Sequence, residues 1–387
     1  MLHKHQGNDF QITTPFWLHL NELCKEFHED GKFVTFAGYE WSGNTGLGGD
    51  RNVLYAKEGE PIFRSSHALV DDLRDSDTDA NSANDLFAAL KEKDCVVYAH
   101  IGGRYADIAY AHDDHLELAV EVHSAWGTFE WLIEDAFDQG YRVGIVSNSD
   151  GHKGRPGASH PGATRFGSYG GLTCIMAPVL DRKHLMQAMR ARHHYATTGN
   201  RVVLDVGLHF ANPAILYDRD PRQGLAETKK TDHAIMGDIL HSPDTTAKIS
   251  VDLLPSCPLE RLEIRNAKQG IACVRDFTQA DLGRRIRIVW EGSEYCGRGR
   301  ETIWDGSLQV KDNQIISATP FNRYNIAKPF AITDAHTISW EALTTGGMGG
   351  FDLVLVDENA GLLEIDTDLI KTRVVSVSTS KAPGCFF

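Results

Sequence analysis

The chain has 387 residues, of which 42% are hydrophobic and 24% charged, a globular composition that excludes disordered, collagen-like and coiled-coil classes. Its 39 basic and 53 acidic residues give a net charge of −14, which disfavours nucleic acid as a partner. No apolar run reaches the roughly 18 residues of a membrane span, and none follows Met1 as a signal peptide would require. We therefore expect neither a membrane partner nor a secreted protein.

The cysteine and histidine contents differ in what they indicate. Seven cysteines are scattered along the chain, in odd number and with no Cys-x-x-Cys pair. This pattern argues against a disulfide framework or a zinc ribbon and favours a reduced, cytoplasmic compartment. The chain also has 18 histidines, and several of them fall at the ends of predicted strands.

The first 200 residues alternate between helix-like and strand-like segments. Apolar residues at helical spacing predict the helices, and short runs rich in β-branched residues predict the strands. Such alternation is typical of parallel βα units. The predicted helices cover approximately 17–27, 84–93, 128–139 and 181–192, and the predicted strands 33–38, 95–99, 118–122, 142–146 and 172–176.

After about residue 202 the pattern changes to short β-rich segments separated by Gly, Asp and Asn turns. No long amphipathic helix is predicted there, and the polar stretch 211–230 is expected to be a long loop. We interpret residues 203–387 as an all-β, sandwich-like accessory domain that follows an α/β domain over residues 1–202.

Polar side chains follow four of the predicted N-terminal strands. These residues are Glu40, His100, His123 and the pair Asp150 and His152. In a barrel of parallel strands, such ends converge on one face, where the active site lies. Imidazole and carboxylate groups are the ligands of catalytic Zn, Mn or Fe, so the pattern predicts a site for divalent metal ions.

Each of these residues has a simpler explanation when taken alone. A single histidine at a strand end is more often structural, and Glu40 could be a buried acid paired with an arginine. The joint pattern favours a metal, because several buried polar groups on one face need either an ion or a dense hydrogen-bond network.

These segments resemble the PHP-domain superfamily of metal-dependent hydrolases and, within it, the DUF3604 group. The resemblance implies a distorted (β/α)7 barrel that holds two or three divalent ions and usually hydrolyses phosphoesters. The matching segments are 33–42, 48–52, 100–104, 121–124, 127–131, 147–157 and 195–201.

By this resemblance, individual residues take the roles of the family's motifs. Glu40 corresponds to the metal-bridging acid, His100 and His123 to two single-histidine motifs, and Asp150 with His152 to the last motif. His5 is similar to the histidine of the second motif, although Lys4 stands where the family has aspartate.

The N-terminus departs from the family. The family opens with His-x-His on its first strand, whereas no β-run precedes His3-Lys4-His5 in this sequence. We therefore expect an N-terminally truncated member that lacks this strand and its two ligands, binds fewer ions and has little activity.

Two arginines near the predicted ligands are candidates for binding an anion. Arg104 follows His100 by four residues and could clamp an anionic group through two hydrogen bonds. The alternative is a structural salt bridge from Arg104 to one of three nearby acids. Arg155 follows the Asp-x-His pair and could serve the same purpose. The three acids are Asp107, Asp113 and Asp114.

The leading functional hypothesis is a metal-dependent hydrolase, with phosphoesters as the first expected substrates. The metal would lower the pKa of a bound water molecule. Asp150 would act as ligand and proton acceptor, and Arg104 or Arg155 would hold a small anionic substrate. The metal identity, the exact substrate and the oligomeric state stay open.

Two other hypotheses belong to different classes. The first is a catalytically degenerate PHP-like protein whose β domain binds a ligand such as a carbohydrate. The second is a nucleic-acid editing module, which the net charge of −14 and the absence of basic stripes disfavour.

Overall fold

The structure is a computed structural model that describes residues 2–4, 7–152, 169–297, 300–323 and 327–377. The chain divides into two compact units. The first comprises Met1–Trp126 and Glu130–Ser256, and the second comprises Gly127–Phe129 and Cys257–Phe387. In the sequence, the α/β pattern gives way to strands near residue 202, whereas the units part at Ser256. The assignment of a hydrolase domain and an accessory domain stays a prediction.

The first unit contains four α-helices and short 3-10 helices at Asp9–Gln11, Thr45–Leu47, Ser76–Thr78 and Pro221–Gln223 in its described part. The α-helices are α1 (Thr14–Phe27), α2 (Ala83–Leu90), α3 (Glu130–Asp138) and α4 (Arg182–Arg190). The strands are β1 (Leu2–Lys4), β2 (Val34–Phe36), β3 (Gly38–Ser42), β4 (Asp50–Tyr55), β5 (Cys95–Ala99), β6 (Glu117–Ser124), β8 (Gly144–Ser147), β9 (Leu172–Ile175), β10 (His194–Thr197), β11 (Val203–Tyr217), β12 (Thr228–Ile235), β13 (Ile239–His241) and β14 (Lys248–Leu254); β7 (Gly127–Thr128) belongs to the second unit.

The main sheet of the first unit is mixed. Strand β6 pairs in parallel with both β5 and β8, as the sequence predicts. In contrast, β3, β4 and β5 pair antiparallel. Antiparallel pairing follows from the short connection between β3 and β4, because parallel neighbours need a longer crossover. Strands β1 and β2 form a separate parallel pair.

The mixed α/β class is confirmed, with many strands and few helices. The described strands of the first unit form several separate sheets. They do not show the closed (β/α)7 barrel that the resemblance implies. The all-antiparallel sheet of β11 with β12, β13 and β14 is one of these separate sheets.

Local signals define the helix starts near the site. Thr13 caps α1 by accepting a hydrogen bond from the Phe16 amide, and Pro15 occupies the second helical position. Helix α2 begins at Ala83, one residue before the start predicted from the sequence, because Ser82 and Asp85 form a reciprocal capping box. In the described part of the chain, no helix has the length and apolar character needed to cross a lipid bilayer.

The core of the first unit supports strand β3, whose five residues are all buried. Tyr39 and Trp41 belong to the apolar core, and Tyr39 makes an edge-to-face contact with Trp17 at 5.7 Å. Because side chains alternate along a strand, Glu40 points to the opposite face from these two aromatic residues. Core packing on one face thus fixes the acid on the other.

The second unit is built almost entirely of strands around its own apolar core. Phe351 and Leu353 are fully buried in this core, and Trp290 stacks on Trp340 with ring centroids 5.4 Å apart. Its described elements are α5 (Gln279–Leu282), β15 (Leu262–Asn266), β16 (Gln269–Val274), β17 (Arg285–Glu291), β18 (Thr302–Ile303), β19 (Gly306–Lys311), β20 (Ile315–Phe321), β21 (Phe330–Ile332), β22 (Thr337–Trp340), β23 (Leu343–Thr344), β24 (Met348–Leu355), β25 (Leu362–Thr367) and β26 (Arg373–Ser376).

The predicted loop at 211–230 is wrong over much of its length. Strand β11 continues to Tyr217 and β12 begins at Thr228. The pairing of these strands shifts register between His209 and Ala214. A bulge of this kind interrupts the alternation of polar and apolar residues, which hides the strand from a pattern-based prediction.

Candidate metal centre

Three predicted ligands meet in the first unit. Glu40 lies within β3, His100 directly follows β5, and Asp150 follows β8. One potential ligand atom from each residue lies within 4.8 Å of the other two. The side chain of His100 is fully buried and that of Asp150 is 8% exposed. An imidazole and two carboxylates at this spacing form a suitable donor set for a divalent ion.

The orientation of His100 is set by Glu121. The Nδ1 atom of His100 lies 2.6 Å from the Glu121 Oε1 atom. When Nδ1–H donates to this carboxylate, the lone pair is on Nε2, which faces Asp150 at 3.4 Å. A carboxylate that binds the far nitrogen of a metal-ligating histidine is a common arrangement in metalloproteins. Asn148 in turn donates a hydrogen bond to Glu121.

Two atoms of this cluster lack a hydrogen-bond partner although they are buried. They are Nε2 of His100 and Oδ2 of Asp150. Their separation of 3.4 Å exceeds the usual hydrogen-bond range of about 2.7–3.2 Å. Leaving a buried polar atom unsatisfied costs about 1–3 kcal/mol. A cation between these atoms would satisfy both, so the residues present fit a metal ion.

Gly102 keeps space open in front of His100. A Cβ atom at this position would lie 2.7 Å from Nε2 of His100 and 3.0 Å from Oδ2 of Asp50. Any other residue would therefore crowd the nitrogen that faces Asp150. The glycine is required here for close approach rather than for a special backbone angle.

Asp150 adopts a left-handed backbone conformation with φ of +38°. Aspartate tolerates this region better than most residues, and such conformations occur often at functional sites. The backbone turn directs the carboxylate towards His100. The carbonyl of Asp150 also accepts a hydrogen bond from Nδ1 of His152 at 2.9 Å.

Glu40 is held by neutral donors. The Asn8 side-chain amide donates to Oε1 of Glu40 at 3.1 Å, and the Ser42 hydroxyl donates to the same oxygen at 3.2 Å. The backbone of Asn8 forms a parallel bridge with Glu40. Strand β3 and the segment before α1 thus fix this carboxylate together.

The charged forms of His100 and Asp150 stabilise each other. Burial alone would lower the pKa of His100, but the carboxylates of Glu121 and Asp150 raise it well above its ordinary value. Burial alone would raise the pKa of Asp150, but His100 lowers it overall. A metal ion that binds Nε2 must therefore displace a proton, which couples metal affinity to pH.

Other predicted ligands lie outside this group of three. His123 is buried in β6, and its Nε2 atom lies 2.8 Å from the Tyr169 carbonyl oxygen. Burial lowers the pKa of His123. His152 is exposed, with its ring edge-to-face with Trp126 at 5.8 Å. The predicted residues His5 and Arg155 lie outside the described residues.

Arg104 is partly exposed and fixed by backbone carbonyls. Its Nε donates to Gly43 at 2.9 Å and its Nη2 donates to Ser42 at 2.6 Å. The acid that faces it is Asp50, at 3.4 Å, which also accepts a hydrogen bond from the Arg104 amide. This partner was not among the three acids suggested by the sequence. The guanidinium lies over the ring of Phe10, 5.5 Å from its centroid.

Two residues that hold the predicted ligands in place, Glu121 and Asn8, are not among the residues predicted from the sequence. Glu121 precedes His123 by two residues on β6, and the pairing of β6 with β8 shifts register between them. The only sequence signal for Glu121 is its place beside a predicted ligand at the end of this strand. Asn8 was not identifiable, because only the folded structure brings it beside Glu40.

The chain is similar over part of its length to one curated protein and, more weakly, to one solved structure. No family model matches the chain. An uncharacterised protein of Chlamydia pneumoniae is 24% identical over 225 residues, which cover 52% of this chain and only 34% of that relative's length. A solved two-domain protein from Bacteroides vulgatus, described as containing a predicted PHP-like metal-dependent phosphoesterase, has a TM-score of 0.33 and 10% identity. That match covers 68% of this chain and 79% of the solved one.

Proposed function

We propose that this chain is a metal-dependent hydrolase that acts on phosphoesters. The observation that carries the proposal is the buried group of Glu40, His100 and Asp150, whose ligand atoms lie within 4.8 Å of one another. Two of these atoms are buried without a hydrogen-bond partner. The −14 net charge makes a local cationic centre the natural place for an anionic substrate.

The residues of the cluster would have different roles in the reaction. Glu40, His100 and Asp150 would hold the ion, and Glu121 keeps Nε2 of His100 directed at it. The ion would supply Lewis acidity and a water molecule of lowered pKa. Hydrolysis joins the water oxygen to phosphorus, breaks the bond from phosphorus to the ester oxygen, and transfers a proton to that oxygen. Asp150 would accept the proton of the attacking water.

The finer parts of the proposal rest on the resemblance of the sequence to the PHP superfamily. They are the barrel fold, a centre of two or three ions, and the contribution of His5, His123 and His152 as further ligands. The oxygen and nitrogen donors suit Mn, Zn or Fe. Arg104 and Arg155 are the candidates for binding the anionic group.

The test combines metal analysis with activity. The full chain is stripped with a chelator, reloaded with Mn, Zn or Fe, and assayed for bound metal and for hydrolysis of phosphatase and esterase substrates. We expect at least one ion per chain and metal-dependent phosphoester hydrolysis. His100→Gln should lose both, whereas His115→Gln, at an exposed histidine, should keep both.

Two results would count against this function. A folded protein that holds no ion under these conditions would favour the degenerate, non-catalytic alternative. Activity that survives both the chelator and the His100→Gln substitution would show that the proposed cluster is not the active site.

A further inference from the structure

A cavity of about 310 Å³ lies beside the candidate metal centre in the first unit. Ser42 connects the two, because it lines the cavity and its hydroxyl donates to Oε1 of Glu40 at 3.2 Å. The volume is at the lower end of the range for small-molecule sites, about 300–1,000 Å³. It therefore suits a small metabolite rather than a polymer.

The polar wall of the cavity offers both donors and acceptors. Ser65 donates its hydroxyl to Asp9, so its oxygen can still accept. Ser66 accepts from the Ala68 amide, so its hydroxyl hydrogen can still donate. Asn81 donates to the Ser65 carbonyl, so its side-chain oxygen can accept. Ligand hydroxyl groups, which donate and accept at once, match such a mixed wall.

A cation and an apolar surface complete the lining. Nε and Nη2 of Arg104 donate to backbone carbonyls, whereas no described residue accepts a hydrogen bond from Nη1. The side chain is 27% exposed, so Nη1 can contact an anion. Leu47 and Leu69 also line the cavity and are exposed. They would cover the carbon skeleton of a bound molecule.

We propose that this cavity binds a small polyhydroxylated anion, a sugar or polyol phosphate, with Arg104 contacting the anionic group. Hydrogen-bonding groups and apolar side chains in the same lining match the hydroxyl groups and the carbon skeleton of a small carbohydrate. The choice of phosphate over another anion rests on the proposed function. Binding itself depends on the cavity and not on the metal.

The experiment measures binding to the chelator-treated full chain by calorimetry. The probes are glucose 6-phosphate, ribose 5-phosphate and glycerol 3-phosphate, with inorganic phosphate and the matching glucose, ribose or glycerol as the separate halves. At least one phosphorylated probe should bind about tenfold or more tightly than either half. Ala68→Phe places a bulky ring in the cavity at an exposed lining residue. It should reduce this affinity about tenfold or more.

Ala88→Phe is the matched control, because it makes the same change at an exposed residue of α2 away from the cavity lining. It should leave binding unchanged, and Arg104→Gln should weaken the phosphorylated probes more than glucose. The proposal is overturned if no probe exceeds inorganic phosphate, or if Ala68→Phe and Ala88→Phe behave alike.

The design separates this inference from the proposed function. Phosphoester hydrolysis by the metal-loaded protein without selective probe binding would overturn the cavity alone. Selective binding that is sensitive to Ala68→Phe, in a chain that holds no ion, would support the cavity and refute the hydrolase.

Discussion

Among the described residues, the first unit buries many charged or titratable side chains, whereas the second unit buries the charged side chain of Arg300. The described core of the second unit is apolar, with Leu308, Ile338 and Phe351 each at 0% exposure. The first unit has such a core too, but it also buries charged or titratable residues, among them Arg51 and His100. Burying a charge is costly unless it is paired or bound to a metal. The first unit therefore contains groups that packing alone does not explain.

The buried polar groups of the first unit fall into two kinds. Arg51 donates to Glu117 at 3.0 Å and to backbone carbonyls, so this buried pair is well satisfied. His100 and Asp150 face each other at 3.4 Å with one unsatisfied atom each. A satisfied pair indicates a structural role, whereas the second arrangement is suited to binding an ion.

The largest expected effect tests the structural pair. Arg51→Leu leaves the buried carboxylate of Glu117 without its arginine, and should destabilise the protein by about 3–5 kcal/mol. The double variant Arg51→Leu/Glu117→Leu should recover part of this loss, because it removes the stranded charge. Urea denaturation of the single and double variants measures the effect. Equal stability of wild type and Arg51→Leu would show that the pair has no structural importance.

The second prediction uses pH to distinguish the units. Burial lowers the pKa of His194 to about 4 from an ordinary value of 6.5. The neutral form is thus favoured in the fold. The stability that neutral His194 contributes to the fold is complete above pH 6.5 and is lost as the pH falls from 6.5 to 4. The shift corresponds to about 3 kcal/mol in the free energy of unfolding.

Hydrogen exchange at pH 7 and pH 4.5 measures the stability of each unit at the two pH values. Protection in the first unit should fall more steeply with acid than protection in the second, whose described apolar core contains no histidine. His194→Gln should flatten the pH dependence of the first unit, whereas His115→Gln, at an exposed position, should not. If protection in the first unit depends on pH equally in His194→Gln and in the wild type, His194 does not cause the acid sensitivity of this unit.

Several elements and site residues could be predicted from the sequence, because local apolar patterns determine where these helices and strands form. Strand β5 and helices α1 and α4 lie close to their predicted positions, since their apolar periodicity is regular. The sequence places Glu40, His100 and Asp150 within or after strands. This placement predicted that the three side chains lie together, and the structure brings them into one group.

What the sequence did not show depends on long-range contacts. The antiparallel pairing of β4 with β3 and with β5 is a property of the connections rather than of any single strand. The contact between Asn8 and Glu40 joins residues 32 positions apart. The bulge in β11 interrupts the pattern on which strand prediction relies. Such features are determined by tertiary packing, which overrides local propensity.

The third prediction concerns the residue that orients His100. In Glu121→Gln the carboxylate that accepts from Nδ1 is replaced by a neutral amide, so the imidazole is held less firmly. Loss of such an outer partner typically costs 10–100-fold in metal affinity. Titration of the stripped protein with Mn or Zn measures the change. Glu22→Gln, at an exposed residue of α1, is the control. Unchanged affinity in Glu121→Gln would mean that His100 does not bind the ion.

The smallest expected effect comes from one methyl group. In Gly102→Ala, the new Cβ would lie 2.7 Å from Nε2 of His100, closer than real contacts allow, so the imidazole or the loop must shift. Overpacking of this kind costs about 1–3 kcal/mol, and we expect metal affinity to fall by about tenfold. Gly103→Ala is a matched control, because a Cβ at Gly103 meets no atom within 4 Å. If the two variants bind metal equally well, the space beside His100 is not where the ion lies.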